Sequence, residues 1–172
     1  MINPDLYLNF EENGWTEALP DVEKLSETVV RAAFAHTEKH HDLSFLDLNK
    51  PVIIGLTLSN DASVHTLNKE FRGIDKPTNV LSFANIDDPD FKTDCRIFEE
   101  IELGDIIIAL ETMQHEAKEK GISLKDHYCH LLTHGILHLL GFDHQNDEEA
   151  EYMENFEINI LQQLNISNPY TE

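Results

Sequence analysis

The sequence is poor in cysteine, in basic residues and in long apolar runs. Its two cysteines, Cys95 and Cys129, form no Cys-x-x-Cys motif, which suits a reducing cytosol. No stretch approaches the roughly 20 apolar residues that a membrane helix needs. The N-terminus has no basic segment followed by an apolar one, as a signal peptide would have. We therefore expect a cytoplasmic protein with no membrane partner.

Positive charge is scarce as well. The chain carries 12 lysines and arginines against 33 aspartates and glutamates, which gives a formal net charge of −21 at pH 7. Such a surface repels polyanions and offers no overall electrostatic footprint for nucleic acid. Taken alone, the charge argues against an RNA or DNA substrate.

Length and composition are those of one ordinary domain. A chain of 172 residues, of which 41% are hydrophobic and 26% charged, can bury a substantial core and is not expected to be disordered. It contains no internal repeat, no low-complexity tract and no linker rich in Gly, Pro or Ser. We therefore predict a single domain over residues 1–172.

Hydrophobic periodicity predicts strands and helices that are interspersed along the chain. Strands are predicted at 6–10, 52–59, 78–83 and 103–110. Helices are predicted at 21–40, from an Asp61 N-cap to Gly73, at 111–120, from a Ser123–Asp126 capping box to about Leu140, and at about 148–164. The acidic, aperiodic segment 84–100 is predicted to be a mostly exposed loop. The expected fold class is α/β (α+β): one compact domain with a mixed sheet of about four strands, packed with helices, and the histidine-bearing helix at its centre.

The segment THGILHLLGFDH, residues 133–144, places three histidines among apolar residues. His134 and His138 are four residues apart, so on a helix both rings project from one face, one turn apart. Gly141 ends the helix and leads to His144, which is close enough in sequence to return to the same ion. Three neutral imidazoles with an open fourth position are typical of a catalytic zinc site.

Two further histidines, His127 and His130, continue the same stripe of this helix. The rise from His130 to His138 is about 12 Å, too long for one helix to supply three ligands at zinc–nitrogen distances of about 2.0–2.1 Å. We therefore interpret His127 and His130 as solvated side chains. Cys129, about 140° around the helix from His134, is interpreted as a packing residue. The alternative for any single histidine on an apolar face is a core residue with a satisfied hydrogen bond.

The same histidine spacing occurs in metzincin peptidases, and one position separates the two cases. Those enzymes carry Glu directly after the first histidine, as the general base that takes a proton from water. Here Gly135 stands at that position. A hydrogen atom cannot accept a proton, so a peptidase of this type would lack its base, and a zinc peptidase is the least favoured interpretation.

The full string HGILHLLGFDH resembles the signature of the YbeY family, bacterial endoribonucleases of ribosomal RNA maturation. Three other blocks resemble that family too: LNKEFRGIDKPTNVLSF (67–83), LGDIIIA (103–109) and DEEAEYME. The resemblance spans roughly residues 50–165. It implies a single-strand-specific, zinc-dependent endoribonuclease that acts in 3′-end maturation of small-subunit ribosomal RNA and in ribosome quality control. The implied partners are ribosomal RNA and small-subunit proteins or assembly factors, and not DNA.

By the same resemblance, His134, His138 and His144 are the ligands of one zinc ion with an open water position. Arg72 corresponds to the family's arginine near the metal cleft. A three-histidine site also accepts nickel, copper or cobalt, so zinc is the expectation that the resemblance favours.

Arg72 is the candidate catalytic residue because a guanidinium stays charged and can hold a phosphate through two parallel hydrogen bonds. The alternative is that it pairs with the helix C-terminus before Gly73. Thr78 and Ser82 are either substrate contacts or ordinary strand residues. Asp143 either orients a ligand imidazole or fixes the turn.

The resulting hypothesis is metal-assisted cleavage of an RNA phosphodiester, with water or the 2′-hydroxyl of the RNA as nucleophile. Lys69, Arg72 and Lys76 cluster in sequence and would keep the cleft locally positive despite the net charge. Alternatively, affinity comes from an acidic surface that docks onto basic ribosomal proteins. The main rival from another class is a non-catalytic zinc-binding factor of ribosome assembly.

Overall fold

The structure, a computed structural model, describes residues 2–46 and 49–171. Its strands are β1 (Asp5–Phe10), β2 (Val52–Ser59), β3 (Val80–Ala84) and β4 (Ile101–Ala109). They form one sheet in the order β1-β2-β4-β3, in which β1, β2 and β4 are parallel and β3 runs antiparallel to β4. The predicted mixed sheet of four strands is confirmed for the described residues.

The helices lie on both faces of this sheet. They are α1 (Gly14–Ala18), α2 (Val22–His40), α3 (Asp61–Arg72), α4 (Phe91–Ile97), α5 (Leu110–Lys120), α6 (Leu124–Leu139) and α7 (Asp147–Gln163). Helix α6 carries His134 and His138 and contacts α2, α5, α7, β3 and β4. The histidine helix is therefore central, as predicted.

Strand β4 shows why both faces are covered. Ile106 and Ile108 belong to the main core, whereas Ile107 and Ala109 pack with Val64 of α3 in a smaller cluster on the opposite face. Because successive side chains of a strand alternate between faces, the apolar run 106–109 of β4 needs helices on both sides.

The prediction of a mostly exposed loop at 84–100 is confirmed for exposure, since only Phe91 and Cys95 of this segment are buried, but it is wrong about the loop. A 3-10 turn covers Asn85–Asp87 and α4 follows. Phe91 and Cys95, four residues apart on α4, are buried at 6% and 5% exposure. The many acidic residues conceal this short amphipathic helix, because two apolar positions are too few for a visible period.

The start of α3 also differs by one residue from the prediction. Asn60, not Asp61, is the N-cap, and its side-chain oxygen accepts the Ser63 N–H at 2.8 Å. Asp61 instead accepts hydrogen bonds from the backbone and the hydroxyl of Thr112 on α5 at 3.0 and 2.7 Å. Its carboxylate thus links two helices.

None of the helices in the described ranges has the length and apolarity to cross a membrane.

Candidate metal centre

Local sequence fixes both ends of α6 and so places the three candidate ligands. The Ser123 hydroxyl accepts the Asp126 N–H at 3.1 Å, which confirms the predicted N-cap. After the last turn, Gly141 adopts a φ of 100°, a left-handed conformation that side chains rarely adopt. The chain turns back there, and the Phe142 N–H donates to the Leu137 carbonyl at 3.0 Å. His144 is thereby brought toward the end of α6.

The three predicted histidines come together. One ring nitrogen from each of His134, His138 and His144 lies within 4.8 Å of the others. The Nε2 atoms of His134 and His138 are 3.1 Å apart. Two nitrogens bound to one tetrahedral zinc ion lie about 3.3 Å apart, given bonds of about 2.0–2.1 Å. His134 and His138 are half-buried and His144 is exposed, so one side of the cluster is open to solvent.

Hydrogen bonds fix the proton positions on two of these rings. His138 Nδ1 lies 2.9 Å from the Phe142 carbonyl, which can only accept, so Nδ1 carries the proton. His134 Nδ1 lies 3.2 Å from Oε2 of Glu157 and donates to that carboxylate. In a neutral ring the opposite nitrogen then has a free lone pair. The Nε2 lone pairs of His134 and His138 then face each other with no proton between them. A divalent cation placed between the two nitrogens would accept both lone pairs.

Burial keeps His138 neutral. Desolvation, with a further contribution from the neighbouring His134, lowers the pKa of His138 to about 4. A neutral imidazole is the form that binds metal. At neutral pH this ring therefore needs to lose no proton before it can act as a ligand.

Glu157 is the residue that sequence reasoning missed. Its side chain is 1% exposed and accepts hydrogen bonds from His134 and, at 2.6 Å, from His130 Nε2. Burial opposes its ionisation, but these hydrogen bonds outweigh burial and lower the pKa of Glu157 to about 2. A signal existed in the sequence, because Glu157 falls on the otherwise apolar side of α7 with Met153 and Ile160.

The interpretation of His127 and His130 as solvated is wrong. The side chain of His127 is 1% exposed and bonds Glu116 at 2.9 Å, and that of His130 is 13% exposed and bonds Glu157. Carboxylates from α5 and α7 reach this stripe of α6, and no property of α6 itself reveals them. Cys129 is fully buried, as predicted for a packing residue.

Arg72 lines the same cleft as the three histidines. The cleft has a volume of about 570 Å³ and is also lined by Lys76, among other residues. Arg72 Nη2 donates to the Ser82 carbonyl on β3 at 2.9 Å, and its guanidinium carbon lies 5.5 Å from the centre of the Phe83 ring. Its hydrogen-bond partner is thus on β3 and not at the end of α3, contrary to the alternative considered above.

The remaining sequence candidates also border this cleft. Thr78, Ser82 and Asp143 are among its lining residues. Asp143 Oδ1 accepts the backbone N–H of His144 at 2.8 Å, so its carboxylate fixes the turn.

A second cleft, of about 630 Å³, lies beside α4 and has no imidazole in its lining. It is lined by five carboxylates, those of Asp88, Asp94, Glu99, Glu100 and Glu102. This charge repels a phosphodiester. The histidine cleft is therefore the better candidate for the functional site, although it is the smaller of the two.

Gly135 has a steric role between the ligands. A Cβ atom at this position would lie 3.0 Å from Ile106 Cγ2 and 3.2 Å from Ser82 Oγ. Helix α6 therefore lies close against β3 and β4 at the turn that bears His134 and His138. Any side chain here, a glutamate included, would require these neighbours to shift, which adds a steric argument to the missing base of the peptidase alternative.

The α/β fold and the open cluster of three imidazoles are those of a small protein whose side chains could bind a catalytic metal ion, as in metal-dependent hydrolases. A family model described as endoribonuclease YbeY matches residues 12–165. The chain belongs to the YbeY family of endoribonucleases, enzymes that cleave RNA within the strand, as its sequence motifs predict.

Curated relatives carry the same name along nearly their whole length. Endoribonuclease YbeY of Paramagnetospirillum magneticum is 43% identical over 159 residues, which cover 92% of this chain and 90% of the relative. That of Rhizobium etli is 43% identical over 173 residues, covering 99% and 95%. The fold is shared with the solution structure of TM1509 from Thermotoga maritima, at 20% identity and a TM-score of 0.50, covering 98% of this chain and 100% of that one.

Proposed function

We propose that this protein is a zinc-dependent, single-strand-specific endoribonuclease that acts in 3′-end maturation of small-subunit ribosomal RNA and in ribosome quality control. Residues 1–172 would act as one ribonuclease domain. His134, His138 and His144 are the proposed ligands of one zinc ion, and Arg72 is the proposed catalytic residue. The main support is that three imidazole nitrogens within 4.8 Å of one another share a cleft with an arginine, in a chain of this family.

When bound by His134, His138 and His144, the ion would supply Lewis acidity at the phosphodiester or lower the pKa of a water molecule. The chain's own groups prepare the site for it. The Glu157 carboxylate and the Phe142 carbonyl keep a proton on Nδ1 of His134 and of His138, the nitrogen that faces away from the cluster. The exposed ring of His144 leaves the cluster accessible to a strand of RNA from the cleft side.

Arg72 is suited to stabilise the negative charge that develops at phosphorus. One guanidinium N–H is used on the Ser82 carbonyl, and a guanidinium has five N–H donors in all. The group therefore retains donors for a phosphate while its position is fixed on β3. Charge-assisted bonds of this kind are about twice as strong as neutral ones.

The net charge of −21 favours a protein partner for recruitment. The basic side chains Arg72 and Lys76 line the cleft, so RNA can enter locally although the surface as a whole repels it. We propose that small-subunit proteins or assembly factors with basic surfaces bring the enzyme to its substrate. Both cysteines are free, which supports the proposed cytoplasmic location.

The test compares the wild type with Arg72→Ala and His138→Ala on RNA fragments that span the 3′ end of small-subunit ribosomal RNA. Single-stranded and paired versions are assayed after zinc is added to chelator-treated protein. We expect zinc-dependent cleavage of the single-stranded RNA by the wild type only. A 2′,3′-cyclic phosphate at the new end would identify the 2′-hydroxyl as nucleophile.

Identical products from all three proteins would refute catalysis at this site and favour the assembly factor. In that case zinc binding by the wild type, and its loss in His138→Ala, would still separate a zinc-binding factor from a protein that binds no metal.

A further inference from the structure

The carboxylate of Glu157 receives three hydrogen bonds inside the protein. His130 Nε2 and the Tyr170 hydroxyl donate to Oε1 at 2.6 and 2.7 Å, and His134 Nδ1 donates to Oε2 at 3.2 Å. Both carboxylate oxygens are thus used, and the side chain is 1% exposed. A buried carboxylate with three donors has one strongly preferred orientation.

This carboxylate determines which nitrogen of His134 carries the proton. An ionised carboxylate only accepts hydrogen bonds, so Nδ1 of His134 must be the protonated nitrogen. In the neutral ring its Nε2 atom is then free of a proton, and this atom lies 3.1 Å from Nε2 of His138. Glu157 therefore directs the lone pair of His134 toward the cluster.

The two ligands on α6 are held by different kinds of partner. His138 Nδ1 donates to a backbone carbonyl, that of Phe142, which no side-chain substitution removes. His134 depends on a side chain from α7, 23 residues further along the chain. The orientation of His134 can therefore be disturbed by a substitution that touches no ligand.

Tyr170 extends this arrangement to the C-terminal segment. Its hydroxyl bonds Glu157, and its ring packs edge-on against that of His130 with centroids 5.3 Å apart. The segment after α7 is thereby attached to the carboxylate that orients His134. Loss of the hydroxyl would leave Glu157 with two donors.

We propose that Glu157 is a positioning residue for the metal centre, which orients His134 as a ligand, and that Tyr170 secures its carboxylate from the C-terminal segment. This inference rests on the proposed function in that it assumes a metal ion at the three histidines. Outer partners of this kind typically change metal affinity by about 10- to 100-fold when they are removed.

The test measures metal binding by chelator-treated protein, without any RNA. Zinc affinity is determined by competition with a chromophoric chelator, and cobalt(II) is used for its visible absorption, which reports ligand geometry. The variants are Glu157→Gln and Tyr170→Phe, with Glu151→Gln as the matched control, since Glu151 is an exposed glutamate on the same helix. Circular dichroism of the metal-free proteins verifies that each variant is folded.

We expect Glu157→Gln to bind zinc about 10- to 100-fold more weakly and to change the cobalt spectrum. Tyr170→Phe should bind about 3- to 10-fold more weakly, because one of three donors is lost. Glu151→Gln should match the wild type. A purely structural role for Glu157 would lower thermal stability without moving the cobalt spectrum.

A folded Glu157→Gln with wild-type affinity and spectrum would overturn the proposal. If that variant does not fold, Tyr170→Phe decides, and unchanged zinc affinity in it overturns the proposal equally. These outcomes differ from those expected if the three histidines are not a zinc site at all. In that case the wild type itself would bind no zinc, or His138→Ala would bind zinc as well as the wild type.

Discussion

Each imidazole at the candidate metal centre has two nitrogens with separate tasks. In His138 the outer nitrogen donates to the Phe142 carbonyl, and the inner one faces His134. Phe142 belongs to the turn that follows Gly141 and leads to His144. The turn that delivers the third ligand therefore also orients the second, so a change in this turn would affect two ligands together.

At Arg72, substitution should separate chemistry from metal binding. Arg72→Ala should lower the cleavage rate by about 100- to 1,000-fold, the usual cost of removing one donor to a developing negative charge. Arg72→Lys keeps the charge but not the paired donor geometry and should recover only part of the loss. Zinc affinity should not change, because the hydrogen-bond partner of Arg72 is Ser82 and not a histidine.

The measurement is single-turnover cleavage of a single-stranded RNA with saturating zinc. Lys69→Ala is the control: contrary to the sequence-based expectation, Lys69 is not among the residues that line the histidine cleft, and its side chain on the same helix is 66% exposed. Wild-type cleavage by Arg72→Ala would remove Arg72 from the proposed mechanism.

At the scale of elements, the close approach of α6 to the sheet predicts the effect of a single methyl group. A Cβ at residue 135 would lie 3.0 Å and 3.1 Å from two carbons of Ile106, whose side chain is fully buried. Gly135→Ala gains helix propensity of about 1 kcal/mol but overpacks the core by about 1–3 kcal/mol. We expect a lower free energy of unfolding and weaker zinc binding, because α6 bears two of the ligands.

Urea unfolding and zinc competition measure these effects. Ile106→Val removes one of the crowding carbons and serves as the partner in a double-mutant cycle. The alanine should cost less in the Ile106→Val background than in the wild type. Equal costs in both backgrounds would show that Ile106 is not the source of the strain.

Lys50 stabilises a different element, the end of α4. Its ammonium donates to the carbonyls of Cys95, Arg96 and Phe98 at 2.6, 3.1 and 2.9 Å. These carbonyls lie at the C-terminus of the helix, where a cation is favourable. Lys50→Met should lower the free energy of unfolding by about 1–2 kcal/mol.

Urea unfolding of Lys50→Met is compared with that of Lys92→Met, an exposed lysine near the start of the same helix. The control should lie close to the wild type, since surface substitutions away from such contacts rarely exceed about 0.5 kcal/mol. Equal stability of the two variants would contradict the capping role of Lys50.

At the scale of the whole molecule, buried histidines make the metal-free protein sensitive to acid. Burial is the main cause that lowers the pKa of His36, His41, His127 and His138, the last to about 4. Between these values and about 6.5, the unfolded chain binds more protons than the folded one. The histidines therefore favour the folded state above pH 6.5, and this contribution is lost as the pH falls.

The free energy of unfolding in a chelating buffer should thus decrease from pH 7.5 to pH 5. A further decrease is expected below pH 4.5, where Glu157, whose pKa is lowered to about 2 in the folded state, becomes protonated in the unfolded chain. His138→Gln should flatten the first decrease. A free energy that rises on acidification would contradict the assignment.

The sequence by itself determined the strands, the long helices and the spacing of the candidate ligands. Alternation and helical period are local properties, so the four strands and the long helices follow from them. The four-residue spacing of His134 and His138, and the break at Gly141, follow from helix geometry alone. Short α4 was missed because its two apolar positions give no period.

Only the tertiary structure decided what surrounds those ligands. Glu116, Glu157 and Tyr170 reach the histidine stripe from other elements, and the contact between His130 and Tyr170 spans 40 residues of chain. Local periodicity specifies which face of a helix a residue occupies, but not which distant side chain packs against that face. For this reason His127 and His130 were predicted to be solvated, although in the folded protein they are 1% and 13% exposed and bond carboxylates of other helices.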